Sequence, residues 1–337
     1  MCGIKKNLTI LVLITFASLE NSHAMEIMEE VFGSDPHSYD MRNIMGSLKK
    51  ANAIFPVYNQ GKLGSCSANA GAGAMQFCQI RDAIKGGTSP EKVTTFVPSR
   101  LFIYWFERYN DSVGNTNKDT GATVQDCIFT LATSGVCDEK LWDYNQSFRN
   151  QPSNEAITAA KHNVCMDVTP NVKVPASETT IVSSVASAQI TATGDDLLKA
   201  IKISLSNNYP VLFAIDLYSS FKLPETDLTG FIPIPQAKEK FLHNHIMMFV
   251  GYDNNLTHTY DNLTHIQTRA QAKEKVTYTL TGFFTVRNSW GAHYGDSGYY
   301  YLPYEIIINK YKNDMRFVND PNLARDFYVL SKIGSKV

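Results

Sequence analysis

The chain lacks a charge bias: 31 Lys and Arg stand against 32 Asp and Glu, a formal net charge of −1. A protein that grips a phosphate backbone by electrostatics needs a basic excess, so no nucleic-acid partner is expected. It also lacks an apolar run of the roughly 20 residues that a membrane-spanning helix requires. The sustained apolar stretch from Leu8 to Leu19 is shorter, follows Lys5 and Lys6, and leads into Ser22-His23-Ala24, a small-x-small cleavage pattern. A removable export signal over residues 1–24 is therefore expected. The remainder is expected to be secreted, extracellular or periplasmic, with no membrane attachment once the signal is gone. Cysteine is scarce as well, with six in 337 residues, too few for a disulfide scaffold. Cys2 leaves with the signal, and Cys66, Cys78, Cys127, Cys137 and Cys165 remain. The last four allow at most two disulfides, in a pairing that spacing does not choose. No ligand set at zinc spacing accompanies His258 and His265, so neither a metal nor another cofactor is expected.

What is present is a globular composition, 44% hydrophobic, in a length that suits one large or two medium domains. Residues 25–50 are polar and irregular and read as an N-terminal arm or short pro-segment. From Ser67 to Gln79 small residues dominate, which predicts a tightly packed helix; Gly71 and Gly73 inside it imply close approach of another backbone. Helical patterns follow at Leu101 to Arg108, where the aromatic run Phe102, Tyr104, Trp105 and Phe106 reads as core, and at Thr123 to Thr133. Around residues 146–194 the composition turns to Ser, Thr, Asn and Pro, and a short helix follows at Leu197 to Leu205. Strand-like segments then appear at Val211 to Leu217, Ile246 to Tyr252, Val276 to Val286 and Tyr299 to Leu302. Residues 51–194 thus read as a mainly helical half and 195–337 as a β-rich half. The near-duplicated Tyr252 to His265 reads as an exposed hairpin or loop.

Cys66 stands at the first turn of the small-residue helix, where unsatisfied N–H groups and the helix dipole favour a thiolate. A thiolate nucleophile needs a base, which His245 can supply from the head of a strand. The base needs an orienting group, and Asn288 can accept from the imidazole without adding a charge.

Gln60, Gly64-Ser65-Cys66, His245 ahead of Val250-Gly251-Tyr252, and Asn288-Ser289-Trp290-Gly291 with Gly295 and Gly298-Tyr299 behind it resemble the papain-like cysteine protease family in kind and in order. Pro98-Ser99-Arg100-Leu101-Phe102, Gly135-Val136-Cys137, Leu302-Pro303-Tyr304-Glu305 and Asp320-Pro321-Asn322-Leu323-Ala324 resemble its bacterial secreted branch. The likeness spans about residues 37–332. It implies an α+β, two-domain papain-like fold, with a helical left domain, a β-rich, barrel-like right domain, and the active-site cleft between them. It also implies a monomeric cysteine endopeptidase acting on protein or peptide substrates through a Cys66 thioester. His245 would be the acid and base, Asn288 the imidazole orienter shielded by Trp290, and Gln60 an oxyanion donor beside the Cys66 N–H. Substrate contacts are implied at Gly64, Ser65, Gly121, Ala122, Asn244 and Trp290. His243 lacks the right offset to Gly251 and reads as a rim residue. Ser67 stands where relatives usually carry Trp, Tyr294 replaces another usual Trp, and Leu63 stands where they carry a cysteine that forms a disulfide beside the site. The same fold and thioester also serve two other readings: a catalytically weak binding protein, and an acyl transferase that passes the acyl group to an amine.

Overall fold

The computed structural model describes residues 36–93, 97–110, 114–161, 186–261, 277–320 and 323–332. The expected signal, Cys165, and the greater part of the second copy of the duplicated stretch lie outside them.

Strand β1 (Ser38–Asp40) opens the fold and leads through a short 3-10 turn into helix α1 (Leu48–Ile54), whose first turn is capped by the Ser47 hydroxyl. Helix α2 (Cys66–Lys85) is buried without a break from Ser67 to Cys78, because its small side chains let neighbours close in on every side. The neighbours at the two glycines are side chains and not the backbone that the sequence suggested. A Cβ at Gly71 would collide with the Cys127 sulfur, and one at Gly73 with the Arg287 guanidinium. Helix α3 (Arg100–Asn110) buries Phe102, Tyr104 and Trp105, as a core stripe should. Helix α4 (Val124–Thr133) starts at a capping box: Asp126 N–H donates to Thr123 Oγ1 at 3.0 Å and Thr123 N–H to Asp126 Oδ2 at 2.9 Å. Both helices pack on α2, and α5 (Asn154–Ala160) completes the helical half.

The β half is one antiparallel sheet. Its strands are β2 (Ala186–Gln189), β3 (Val211–Tyr218), β4 (Phe241–Tyr260), β5 (Tyr278–Arg287), β6 (Tyr299–Pro303) and β7 (Ala324–Lys332), with helix α6 (Gly194–Ser206) between the first two. The order is β2-β7-β3-β4-β5-β6, with β1 paired to β4. Helices α2 and α6 both pack on β3 and β4. Residues Val211 to Ile215 and His245 to Tyr252 are consequently buried on both alternations, as in a sheet covered on two faces. One buried cluster runs through both halves.

Two boundaries shift in this architecture. The N-terminal arm does not extend to Lys50: β1 pairs Tyr39 with Tyr252 and Asp40 with Gly251, and Met41 and Met45 are fully buried. Gly251 is what admits this strand, since a Cβ there would stand 2.6 Å from the Tyr39 carbonyl oxygen. The break drawn at residue 194 falls too late, because β2 already belongs to the sheet through its pairing with β7. The first copy of the duplicated stretch takes the hairpin form of its expectation: it is the outer, partly exposed part of β4, paired antiparallel with β5 from Thr257–Thr281 to Tyr260–Tyr278.

Candidate active site

Cys66 is the first residue of α2, and the turn before it is built to leave the helix end open. Ser65 at the cap position makes no capping bond to the helix. Its hydroxyl instead pairs with Tyr144 Oη at 2.6 Å and accepts from Asn69 Nδ2 at 3.2 Å. Tyr144 Oη also donates to the Gln60 carbonyl at 3.0 Å, and the Arg100 guanidinium lies 4.0 Å from its ring while pairing with Glu139 at 2.6 Å. Residues 59–66 are thus held from below, and the Cys66 end of the helix faces a cleft of about 1310 Å³.

The opposite wall comes from the sheet. His245 lies in β4, opposite Ile215 of β3, and Asn288 follows the end of β5. The His245 Nε2 lies 2.7 Å from Asn288 Oδ1, and both residues are only 2% exposed. With Nε2 donating to the amide oxygen, Nδ1 is the nitrogen left for a proton from sulfur. The Ile246 backbone N–H, one residue further along β4, favours the charged form of the Cys66 sulfur. Cys66, His245 and Ile246 all line the same cleft. Trp290 packs 5.2 Å from the His245 ring, braced by Phe221 at 5.4 Å, and shields the His245–Asn288 bond.

Burial sets the protonation states. It pushes the Cys66 thiol up to about 11, against the Ile246 N–H, with the nearby Glu107 adding to the rise. It pushes His245 down to about 4, against the Asn288 bond, with His243 and Lys222 adding to the fall. Burial thus opposes the thiolate that the helix terminus favours, and it opposes the imidazolium as well. A thiol and an imidazole that share a site titrate as a coupled pair.

Gln60 is coupled to the Asn288 turn. Its side-chain oxygen accepts from Ser289 Oγ at 2.6 Å, its backbone N–H donates to the Ser289 carbonyl at 2.7 Å, and Gly291 N–H donates to Tyr58 O at 2.9 Å. The Gln60 Nε2 donates to the Leu63 carbonyl at 2.9 Å, which keeps the amide on the cleft side of the loop. Arg287, buried over Phe55 and Tyr58, reinforces the same junction by donating to Pro56 O.

Gly64, Gly121, Ala122, Asn244 and Trp290 also line the cleft, while Ser65 is fully buried behind it and acts on the loop from within. Asn244 donates to Asp216 Oδ1 at the rim. His243 is exposed, with Nδ1 2.9 Å from the Asn244 carbonyl oxygen, and makes no contact with Asn288. Cys78, Cys127 and Cys137 are buried, and no disulfide joins any two cysteines among the described residues. Sequence reasoning missed Ser289, Tyr144 and Glu107. Ser289 sits inside a motif already singled out, whereas Tyr144 and Glu107 act through partners 79 and 40 residues away, which no local pattern announces.

Known proteins agree with this geometry. The chain is 29% identical over 296 residues, 88% of its length and 74% of the other's, to an uncharacterized peptidase C1-like protein, L477, of Acanthamoeba polyphaga mimivirus. Its fold is similar to that of xylellain, a cysteine protease from Xylella fastidiosa, with a TM-score of 0.60, 26% identity, and coverage of 91% of this chain and 90% of that one. It also resembles procathepsin B S9 from Trypanosoma congolense in fold, at a TM-score of 0.52 and 13% identity over 91% of this chain and 80% of that one. The model of the papain family cysteine proteases matches residues 111–315, more than half of the chain, taking in His245 and Asn288. A helix-borne cysteine facing a strand-borne histidine across a cleft, on a fold shared with such enzymes, leads to one assignment: the chain belongs to the papain family of cysteine proteases.

Proposed function

We propose that this peptidase is a secreted endopeptidase in which Cys66 is the nucleophile, His245 the acid and base, Asn288 the orienter of the imidazole, and Gln60 with the Cys66 N–H the oxyanion donors. The observation that carries the reading is the His245 Nε2 to Asn288 Oδ1 bond of 2.7 Å in a cleft shared with Cys66. It fixes the ring so that Nδ1 is the nitrogen left to work with sulfur. Sulfur attacks the scissile carbonyl carbon as its proton passes to His245, and the charge that develops on the carbonyl oxygen meets the Gln60 amide and the Cys66 N–H. Collapse of the tetrahedral species expels the amine, which takes its proton from His245 and leaves a thioester on Cys66. Water then attacks the thioester with His245 as base, releasing the acid and restoring the thiol. No metal or organic cofactor is needed for any of these steps.

Protein or peptide chains are the substrates proposed, with Gly121 and Ala122 meeting the substrate backbone from the helical side and Asn244 and Trp290 from the sheet side. The test is a peptide-library cleavage profile of the mature chain with Cys66→Ala as its blank. Internal cleavage that disappears in the blank supports the proposal. Products joined to an added amine in place of hydrolysed ends would turn the assignment to acyl transfer. Retrieval of residues 25 onward from the culture medium or periplasm tests export, and a chain that stays inside the cell with residues 1–24 still attached would sink it.

A further inference from the structure

Asp119 sits on the cleft rim, exposed, yet its carboxylate is bonded inward on two sides. It accepts from the Gly64 N–H at 3.0 and 3.2 Å, two residues before Cys66. It also accepts from the hydroxyl of Tyr104, a fully buried residue of α3. Tyr104 Oη in turn accepts from the Gly121 N–H at 3.2 Å. The chain of bonds therefore runs from the turn that carries the nucleophile, through one carboxylate and one phenol, to the segment that abuts it on the same side of the cleft. There is no room for slack between the two segments: a Cβ at Gly64 would stand 3.1 Å from Asp119 Oδ1 and 3.4 Å from the Gly121 nitrogen, and Gly121 itself holds a φ of +75°. The loop bearing Asp119 is fixed from behind by Arg108, one helical turn beyond Tyr104, which donates to the Thr116 carbonyl at 2.7 Å, the Lys118 carbonyl at 3.2 Å and the Phe148 carbonyl at 2.7 Å.

We propose that Asp119 is a positioning residue: with Tyr104 it clasps the Gly64 turn to the Gly121 segment and so sets the slot in which a substrate backbone lies beside Cys66. The Gly64 turn and the Gly121 segment are joined by hydrogen bonds, which a reductant cannot cut. Burial, followed by the bond to Asp119, raises the Tyr104 phenol above its ordinary range, so Tyr104 stays a donor toward the carboxylate throughout the working pH range. The inference rests on the reading of Cys66 as nucleophile and Gly121 as a substrate-facing segment. It adds a residue that touches neither sulfur nor substrate and acts through the geometry of both.

The test compares two probes on the full mature chain. Iodoacetamide needs only the thiol, whereas a peptide substrate needs the slot. In Asp119→Ala the slot loosens, and kcat/KM for peptides falls about tenfold, mostly through KM, while the rate of Cys66 alkylation stays within about twofold. Asp119→Asn, whose amide oxygen still accepts from Gly64, recovers peptide turnover to within about threefold of wild type, and Tyr104→Phe lies between the two. Added reductant changes none of these ratios. Peptide turnover within twofold of wild type in Asp119→Ala overturns the clasp, and so does alkylation falling in step with turnover. A loss confined to Lys- and Arg-bearing peptides, equal in Asp119→Asn and Asp119→Ala, overturns it in favour of simple charge attraction. If Asp119→Ala does not fold, Asp119→Asn and Tyr104→Phe decide alone, and wild-type KM values in Tyr104→Phe count against the clasp. A wild-type chain that is alkylated at Cys66 but cleaves no peptide overturns the reading of the site itself, and the role of Asp119 with it.

Discussion

Replacing Glu107 by Gln should flatten a loss of stability expected as pH rises from about 5 to 8. Glu107 is fully buried in α3, where its Oε2 accepts from Ser67 Oγ at 2.8 Å and its Oε1 has no hydrogen-bond partner among the described residues. Burial pushes the carboxyl from its ordinary 4.5 up to about 8, and the Ser67 hydroxyl only partly offsets this. Between those two values the folded chain keeps a proton that the unfolded chain releases. The contribution of this group is therefore complete below pH 4.5, falls as pH rises, and is lost above about 8. At about 1.4 kcal/mol for each pH unit across that gap, the ceiling is ~5 kcal/mol, and water entering from the cleft side brings the realised loss to about 2–4 kcal/mol. Urea unfolding from pH 5 to 9.5, in a Cys66→Ala background that cannot digest itself, reads the effect directly. The parent should lose that much more stability than the Glu107→Gln variant, spread steadily from pH 5 to about 8 and level beyond it. Parallel pH curves for the two proteins would refute the reasoning, because they would show that this carboxyl titrates normally or not at all.

The oxyanion role makes Gln60→Ala cost about 10²–10³ in kcat with little change in KM, read by steady-state kinetics on a peptide substrate; Ser289→Ala, which frees the Gln60 side chain without removing it, should cost less. Asn288→Ala removes the partner of the His245 Nε2 and should lower kcat/KM about tenfold to a hundredfold, with a displaced acid limb in the pH–rate profile. In Gly71→Ala the new methyl meets the Cys127 sulfur under a fully buried helix, which should cost about 1–3 kcal/mol in the same urea assay, and the double variant with Cys127→Ala should restore part of it.

The parts of the fold that the sequence disclosed are those whose pattern is local. Small residues from Ser67 onward announce a helix that others crowd, and the strands around Val211, Ile246 and Tyr299 show themselves by β-branched and aromatic runs between turn residues. What stayed hidden depends on distant partners. Strand β1 is only three residues long and gains its place from Gly251, more than 200 residues on. Strand β7 carries Arg325 and Asp326 ahead of its apolar residues because its first residues meet the cleft, so no clean alternation marks it. The candidate catalytic residues were legible because each stands in a motif with a fixed order, and the structure brings Cys66, His245 and Gln60 to one cleft with Asn288 bonded behind the histidine. Their protonation was not legible. A helix terminus favours a thiolate in sequence, and only the packing of Glu107 and the sheet around Cys66 reveals the burial that opposes it. Asp119 escaped for the opposite reason: an exposed acidic residue in a loop looks like a solvated surface until its bonds to Gly64 and Tyr104 are seen.

The most direct measurement is peptide mapping of the mature protein after reaction with an epoxide thiol inhibitor, run alongside a turnover assay on Cys66→Ala. One equivalent of inhibitor bound at Cys66, with Cys78, Cys127 and Cys137 unmodified and no peptidase activity left in the variant, is the predicted result. Label on a different cysteine, or peptide cleavage that survives in Cys66→Ala, would contradict it.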